Sequence, residues 1–229
     1  MKAHIANVLQ SIHVQTRHRQ NEVHVRTLQS ENLELTRILS QKDREIDGLR
    51  HRLANLEARL QELLGTDTLT GLPNRHVFKE HLIHSLKRAL RVGYSLSLML
   101  VDIDHLGEIN EQHGSGAGDR VLIEIAQILK SSVREIDMPA RWGGEELVAV
   151  LHETDAEGAA VVAERVRRRI LGLEIRDEKT GRLIKVTGTL SVASYPTHSN
   201  EAHGLLEFAF EALRAAKNNG CNTVVIAAR

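Results

Sequence analysis

Apolar residues along this chain follow two different periods, and the change falls near residue 65. Before it, heptads counted back from the end of the segment put Leu60, Leu53, Ile46, Leu39, Asn32 and Val25 at position a. Position d then holds Leu63, Leu56, Leu49, Lys42, Leu35 and Leu28. Ten of these twelve positions are apolar and the 3–4 spacing never slips, which is the pattern of a coiled-coil seam. A strict a/d stripe is narrower than the face a helix buries against a globular core, so a single helix lying on the domain fits less well. Asn32 can pair only with itself in a parallel, in-register dimer, and branched Ile46 and Val25 at a with leucine at d suit two strands. Residues 1–64 are therefore expected to form a parallel dimeric coiled coil, whose unbroken seam over residues 25–64 makes a rod of roughly 60 Å at about 1.5 Å per residue. Asn21 and His18 weaken the seam upstream and leave residues 1–20 open to fraying.

From Gly65 the pattern alternates between helical and strand periods. Helices are predicted from Asn74 or Arg75 to Val92, from Gly118 to Val133, from Asp155 to Leu171 with Asp155 as cap, and from Ala202 to Lys217. Strands are predicted at Ser95–Val101, Met138–Trp142, Leu147–Leu151, Leu183–Val192 and Thr223–Ile226, with a Gly143-Gly144 turn between the second and third. Residues 172–182 read as a polar loop. The order β-α-β-β-α-β, with one more helix and strand, is the ferredoxin-like α+β arrangement, here over residues 65–229.

Composition narrows the function classes. In 229 residues, 30 Lys and Arg balance 30 Asp and Glu, so no global field argues for a nucleic-acid or acidic-membrane partner. One cysteine, Cys221, excludes a disulfide framework or a four-cysteine zinc site. The longest apolar stretches, Leu96–Val101 and Leu147–Leu151, are too short to span a bilayer, and no apolar h-region follows Met1. A soluble protein of a reducing compartment, the cytoplasm, is expected.

Two sets of acids stand at strand ends. Asp102 and Asp104 follow the first strand, at a sheet rim where hard cations are held. Arg141-Trp142-Gly143-Gly144-Glu145-Glu146-Leu147 puts two carboxylates in a tight hairpin whose glycines permit positive φ and close approach by a ligand. If the strands are neighbours, Asp102 and Glu145 can share one Mg²⁺, and two carboxylates plus substrate phosphates is a usual Mg²⁺ arrangement for phosphoryl chemistry. A solvated Gly-Gly-Glu-Glu turn is the plain alternative. Gly114-Ser115-Gly116-Ala117-Gly118 lacks the Lys-Ser/Thr of a P-loop. Arg167-Arg168-Arg169 reads as a solvated helix face, and Trp142 as packing beside the hairpin.

Asp67-Thr68-Leu69-Thr70-Gly71-Leu72-Pro73-Asn74-Arg75 resembles the entry motif of GGDEF-domain diguanylate cyclases. Asp102-Ile103-Asp104-His105 resembles the family's first metal motif, and Gly143-Gly144-Glu145-Glu146-Leu147 its signature loop, in a GGEEL variant. The match runs in order from about residue 66 to 226. It implies a ferredoxin-like domain, related to nucleotidyl cyclases and polymerase palms, that condenses two GTP into cyclic di-GMP and needs a homodimer. It further implies Mg²⁺ or Mn²⁺ held by Asp102, the Ile103 carbonyl and Glu145. Glu145 would act as base, with Glu146 in support. Asn110 and Asp119 would read guanine, and Lys217, Gly143 and Gly144 would line the substrate. Arg134-Glu135-Ile136-Asp137 matches the family's inhibitory RxxD motif, with Arg165 and Arg88 as accessory arginines around bound cyclic di-GMP; a surface ion pair is the plain reading.

Departures from the family pattern are as informative. Gly107 stands where lysine is usual, Ser115 for histidine, Cys221 for arginine, Phe210 and Arg214 for Asp and Tyr, and Ala193 for glycine. Two cations missing beside a triphosphate imply weaker GTP binding or turnover, at about 1.5–3 kcal/mol each. They also motivate the alternative: a weak or inactive member acting as cyclic di-GMP receptor or coiled-coil scaffold. With no sensor domain in the chain's pattern, a regulatory protein on residues 1–64 is a further expected partner.

Overall fold

A computed structural model describes residues 32–34, 36–54, 56, 65–177 and 180–228. The chain divides into two compact units, Met1–Ala58 and Arg59–Arg229. In the first, the described residues between 32 and 56 form one helix, α1. Its seam residues Leu39, Ile46, Leu49, Leu53 and Leu56 are 45–64% exposed, so one chain alone leaves its apolar stripe open to water. The polar d position, Lys42, turns to Glu45 at 2.8 Å. The other expected seam residues, apart from Asn32 and Lys42, lie outside the described residues.

The second unit is built on a five-stranded sheet in the order β2-β3-β1-β6-β7. Its strands are β1 (Leu96–Ile103), β2 (Met138–Gly143), β3 (Glu146–His152), β6 (Gly188–Tyr195) and β7 (Val224–Ile226). The first four pair antiparallel and β7 joins β6 in parallel. That order is the ferredoxin-like one, extended by α6 (Ala202–Asn218) and β7. Every residue of β1 is buried, as a strand covered on both faces must be. The two-residue period then divides the strand: Met99, Val101 and Ile103 enter one core with α3 (Leu106–His113), α4 (Ser115–Ser132) and α5 (Ala156–Leu171). Leu96, Leu98 and Leu100 enter another with α2 (Arg75–Val92) and α6.

Local signals explain most boundaries. Asn74 caps α2 by accepting from the Val77 amide at 3.1 Å, and Asp155 caps α5 through Gly158 at 2.8 Å. Two expectations need correction. The helix expected from Gly118 begins at Ser115, and a separate helix, α3, precedes it; Gly114 at φ 87° turns the chain between them. The strand expected over Leu183–Val192 is two elements. β5 (Leu183–Ile184) pairs with β4 (Ile175–Arg176) in a small hairpin, and only β6 joins the main sheet. That hairpin is drawn to the body by Asp177, which meets His113 at 2.6 Å, a contact between residues 64 apart that no local pattern carries. Among the described residues, no helix is long and apolar enough to cross a membrane.

Candidate active site

β1 and β3 are neighbours, and their register sets Asp102 opposite Glu146. The condition for a shared acidic site is therefore met. Beyond that pair, the Ile103 amide donates to the Glu145 carbonyl at 3.3 Å, closing the hairpin end onto β1. The β2–β3 turn depends on glycine: Gly143 lies at φ 151° and Gly144 at φ 54°, both in the region that side chains disfavour. A bulge between Arg141 and Gly143 re-aims the turn.

Lys217, near the end of α6, reaches into this cluster. Its ammonium forms an ion pair with Asp102 Oδ1 and stands 3.6 Å from Glu145 Oε1. Burial, Glu145 and Asp104 push the Asp102 carboxyl up, despite Lys217. Burial, Asp102 and Glu145 likewise raise Glu146. Lys217 is raised in turn: its burial works against the charge, and the surrounding acids outweigh it. Three acids thus crowd one ammonium, and the cluster is short of positive charge. Together with Phe210, Leu213, Arg214 and Asn218, Asp102, Glu146 and Lys217 line a cavity of about 400 Å³.

The donor set fits a hard divalent cation. Asp102 and Glu145 already converge on one cation, the Lys217 ammonium, so the pair is placed to share another. Among the described residues, no three His, Cys, Asp or Glu side chains form a ready-made cage. Two carboxylates that leave positions to substrate oxygens are what a small hard cation ordinarily takes. Asp104 is not a third ligand. Its two carboxylate oxygens accept from Thr187 and Thr189 hydroxyls at 2.7 Å and from the Asn222 amide at 3.0 Å. It anchors the rim of β1 to β6 and to the turn before β7.

Asn110 on α3 packs against Gly118 of α4, the residue before Asp119, across the Gly114 turn. Asn110 Oδ1 is buried with no hydrogen-bond partner among the described residues, an acceptor fit for a ligand's donor. Its carboxamide rests on Gly118, where a Cβ would stand 2.0 Å from that oxygen. Gly118 is glycine for space rather than for backbone conformation.

Three of the four residues expected at a product site share a second cavity, of about 940 Å³, at the opposite ends of β1 and β3: Arg134, Asp137 and Arg165 line it with Ser132 and Tyr94. Arg88 is exposed on α2 and does not line it. Arg134 and Asp137 are not joined by an ion pair. The Asp137 carboxylate accepts from the Arg134 and His152 amides, both at 2.9 Å. Burial opposes the charge on Asp137, but these bonds and the His152 side chain hold its pKa below the usual carboxylate range. The Arg134 guanidinium makes no hydrogen bond or ion pair with a described residue, and Arg165 donates to the Ser132 carbonyl at 2.6 Å.

Some functional contacts had no signal at sequence level. Arg141 donates to both Asp67 oxygens at 3.1 Å and to the Gly144 carbonyl at 2.8 Å, strapping the entry loop to the glycine turn. The solvated face expected at Arg167-Arg168-Arg169 holds at Arg168 and Arg169, which are exposed, while Arg167 is half-buried. Arg167 binds Glu164 and Asn222, and Arg169 donates to the Ser132 hydroxyl at 2.7 Å. Trp142 packs as expected, 5.4 Å from the Phe210 ring, with the Arg75 guanidinium 4.3 Å above it.

Comparison with known proteins agrees with this arrangement. The family model for "Diguanylate cyclase, GGDEF domain" matches residues 64–223. Diguanylate cyclase A of Treponema denticola is 37% identical over 173 residues, covering 74% of this chain and 46% of that protein. The response regulator PleD of Caulobacter vibrioides is 38% identical over 185 residues, covering 81% and 40%. The chain therefore spans less than half the length of these relatives. Among solved structures, the diguanylate cyclase SiaD of Pseudomonas aeruginosa, in complex with its activator SiaC, superposes with TM-score 0.67 at 30% identity, covering 99% of this chain and 88% of that one. The coiled coil and GGDEF domain of DgcB from Caulobacter crescentus, in complex with cyclic di-GMP, superposes with TM-score 0.68 at 27% identity, covering 84% and 99%. A domain-long match, an acid cluster on adjoining strand ends and a glycine turn between them place this chain in the GGDEF-domain diguanylate cyclase family.

Proposed function

We propose that this protein is a diguanylate cyclase, condensing two GTP into cyclic di-GMP and two pyrophosphates. The carrying observation is the convergence of Asp102 and Glu145 on one cation at the joined ends of β1 and β3, with Glu146 opposite Asp102. In each of two steps, the 3′-hydroxyl oxygen of one GTP bonds the α-phosphorus of the other, and the bond to pyrophosphate breaks. Asp102, the Ile103 carbonyl and Glu145 would hold Mg²⁺, which when bound supplies positive charge to the phosphates. Glu145 takes the hydroxyl proton. Asn110 and Asp119 orient guanine, an amide and a carboxylate suiting its donor and acceptor edge. Gly143 and Gly144 let the phosphates approach the backbone.

Each domain holds one GTP, so the chemistry needs two copies facing each other. The open apolar stripe on α1 supports a parallel dimeric coiled coil as the element that delivers them, with Asn32 setting register. The cavity at Arg134, Asp137 and Arg165 supports product feedback: an uncommitted guanidinium suits bidentate phosphate contact and guanine stacking. A regulator on residues 1–64 remains part of the reading.

The test is to incubate purified protein with GTP and Mg²⁺ and resolve nucleotides by chromatography. Cyclic di-GMP is expected from the wild type and none from Glu145→Gln, which keeps the fold but loses a ligand and the base. Undiminished product from the variant defeats the site. A second reading, a receptor without synthesis, is motivated by the missing cations at Gly107 and Cys221; cyclic di-GMP binding without product from GTP is its signature.

A further inference from the structure

Resting on the cyclase reading, we infer that Arg214 binds the polyphosphate of GTP, on the α2–α6 side of the site, in place of the cations missing at Gly107 and Cys221. Those two positions supply nothing of the kind. Around Gly107 there is open space, with no atom within 4 Å of where a Cβ would stand. The Cys221 thiol turns back to the Lys217 carbonyl at 3.7 Å. Lys217 itself is committed to Asp102 and lies 3.6 Å from Glu145. Neither position offers the polyphosphate a cation, and Lys217 is already paired.

The free cations stand on the other side. Arg214 lies one turn before Lys217 on the same face of α6, and both line the cavity with Asp102 and Glu146. Arg214 makes no ion pair or hydrogen bond with any described residue. It also lines an adjoining cavity of about 580 Å³ with Arg75, Lys79, Trp142 and Phe210. Arg214 and Phe210 are thus the wall common to both spaces. There the Arg75 guanidinium and the Lys79 ammonium sit 4.3 and 5.4 Å from the Trp142 ring centre. Glu207 and Glu211 line the same cavity, and Glu207 is engaged by His203 at 3.2 Å. Three cations against two carboxylates leave the groove with a surplus of positive charge. Its floor, Trp142 with Phe210 at 5.4 Å, holds Arg75 and Lys79 without neutralising them. A guanidinium at the junction offers two parallel donors to a phosphate, beside the acids that gather the metal. Phe210 and Arg214 are both departures from the family pattern, and they occur together on the wall where the replacement is needed.

The experiment compares full-length wild type, Arg214→Ala and Arg214→Lys in two measurements: KM and kcat for GTP, and calorimetric affinity for a non-hydrolysable GTP analogue with Mg²⁺. Arg214→Ala is expected to raise KM and weaken the analogue about tenfold, one lost charge-assisted contact, with the effect on kcat smaller. Arg214→Lys, which keeps the charge and loses the fork, is expected between the two. Unchanged KM and affinity in Arg214→Ala overturn the inference while leaving the cyclase reading intact. If the wild type makes no cyclic di-GMP, the cyclase reading fails and the analogue titration decides alone. A tenfold loss in the alanine variant then upholds Arg214 as a polyphosphate contact; equal binding, or none by the wild type, overturns it.

Discussion

Replacing Gly118 by alanine separates fold from function in one methyl group. The new Cβ would stand 2.0 Å from Asn110 Oδ1, 2.9 Å from its Cγ and 3.2 Å from its Nδ2. Ordinary contact lies about 1.4 Å farther out for the oxygen, so the carboxamide must swing away. The fold loses little, because that oxygen has no hydrogen-bond partner among the described residues to give up. It even gains, since alanine is about 0.5–1 kcal/mol better than glycine inside a helix such as α4. The loss falls on the nucleotide: an amide turned from the base edge forfeits about 1–3 kcal/mol, a tenfold to hundredfold rise in KM for GTP. Thermal unfolding and steady-state kinetics on the same sample read both effects. The expected outcome is a melting temperature unchanged or raised by up to about 3 °C, with KM at least tenfold higher. An unchanged KM would show that Asn110 does not read the base from its present position. A melting temperature lowered by several degrees would show that the helix pair cannot accommodate the swing.

Arg134→Ala should remove most high-affinity cyclic di-GMP binding, measured by calorimetry on nucleotide-free protein, while Arg88→Ala should change it less, because Arg134 lines the cavity and Arg88 does not. Deleting residues 1–64 should give a monomer by light scattering and a large loss of synthesis; full activity from a monomer would refute the dependence on the coiled coil. Asp67→Ala should cost about 3 kcal/mol in urea unfolding, since it leaves Arg141 without its buried partner. Burial works against the Asp67 charge, but Thr70 and Arg141 hold its pKa below the usual carboxylate value. Its contribution is therefore present above the unfolded carboxylate range, about pH 4, and is lost as pH falls towards the lowered folded value. The acid slope of stability should be shallower in Asp67→Asn.

Periodicity made the layers of the second unit legible, and acids at two strand ends, with the resemblance of their motifs, pointed to the candidate site once two strands were taken as neighbours. The sequence pattern failed where long-range contacts overrule it. Leu183–Val192 reads as one strand, yet Ile184 and Gly188 belong to different sheets, because Asp177 ties the first part to His113. Asp104 and Asp102 look alike in sequence. Only the fold gives Asp104 two threonine hydroxyls and a backbone amide, and leaves Asp102 to Lys217. The arginine run of α5 departs from its expectation only at Arg167, which is half-buried because Asn222, far along the chain, comes within its reach.

The strap from Asp67 through Arg141 to Gly144 ties the start of the domain to the glycine turn between β2 and β3. Two side chains link residue 67 to the carbonyl of the glycine turn. The Pro73 carbonyl holds the same strand through the Arg141 amide at 2.9 Å. Arg141 thus fixes the entry loop and the glycine turn together, so a substitution at either end of the strap is expected to disturb the other.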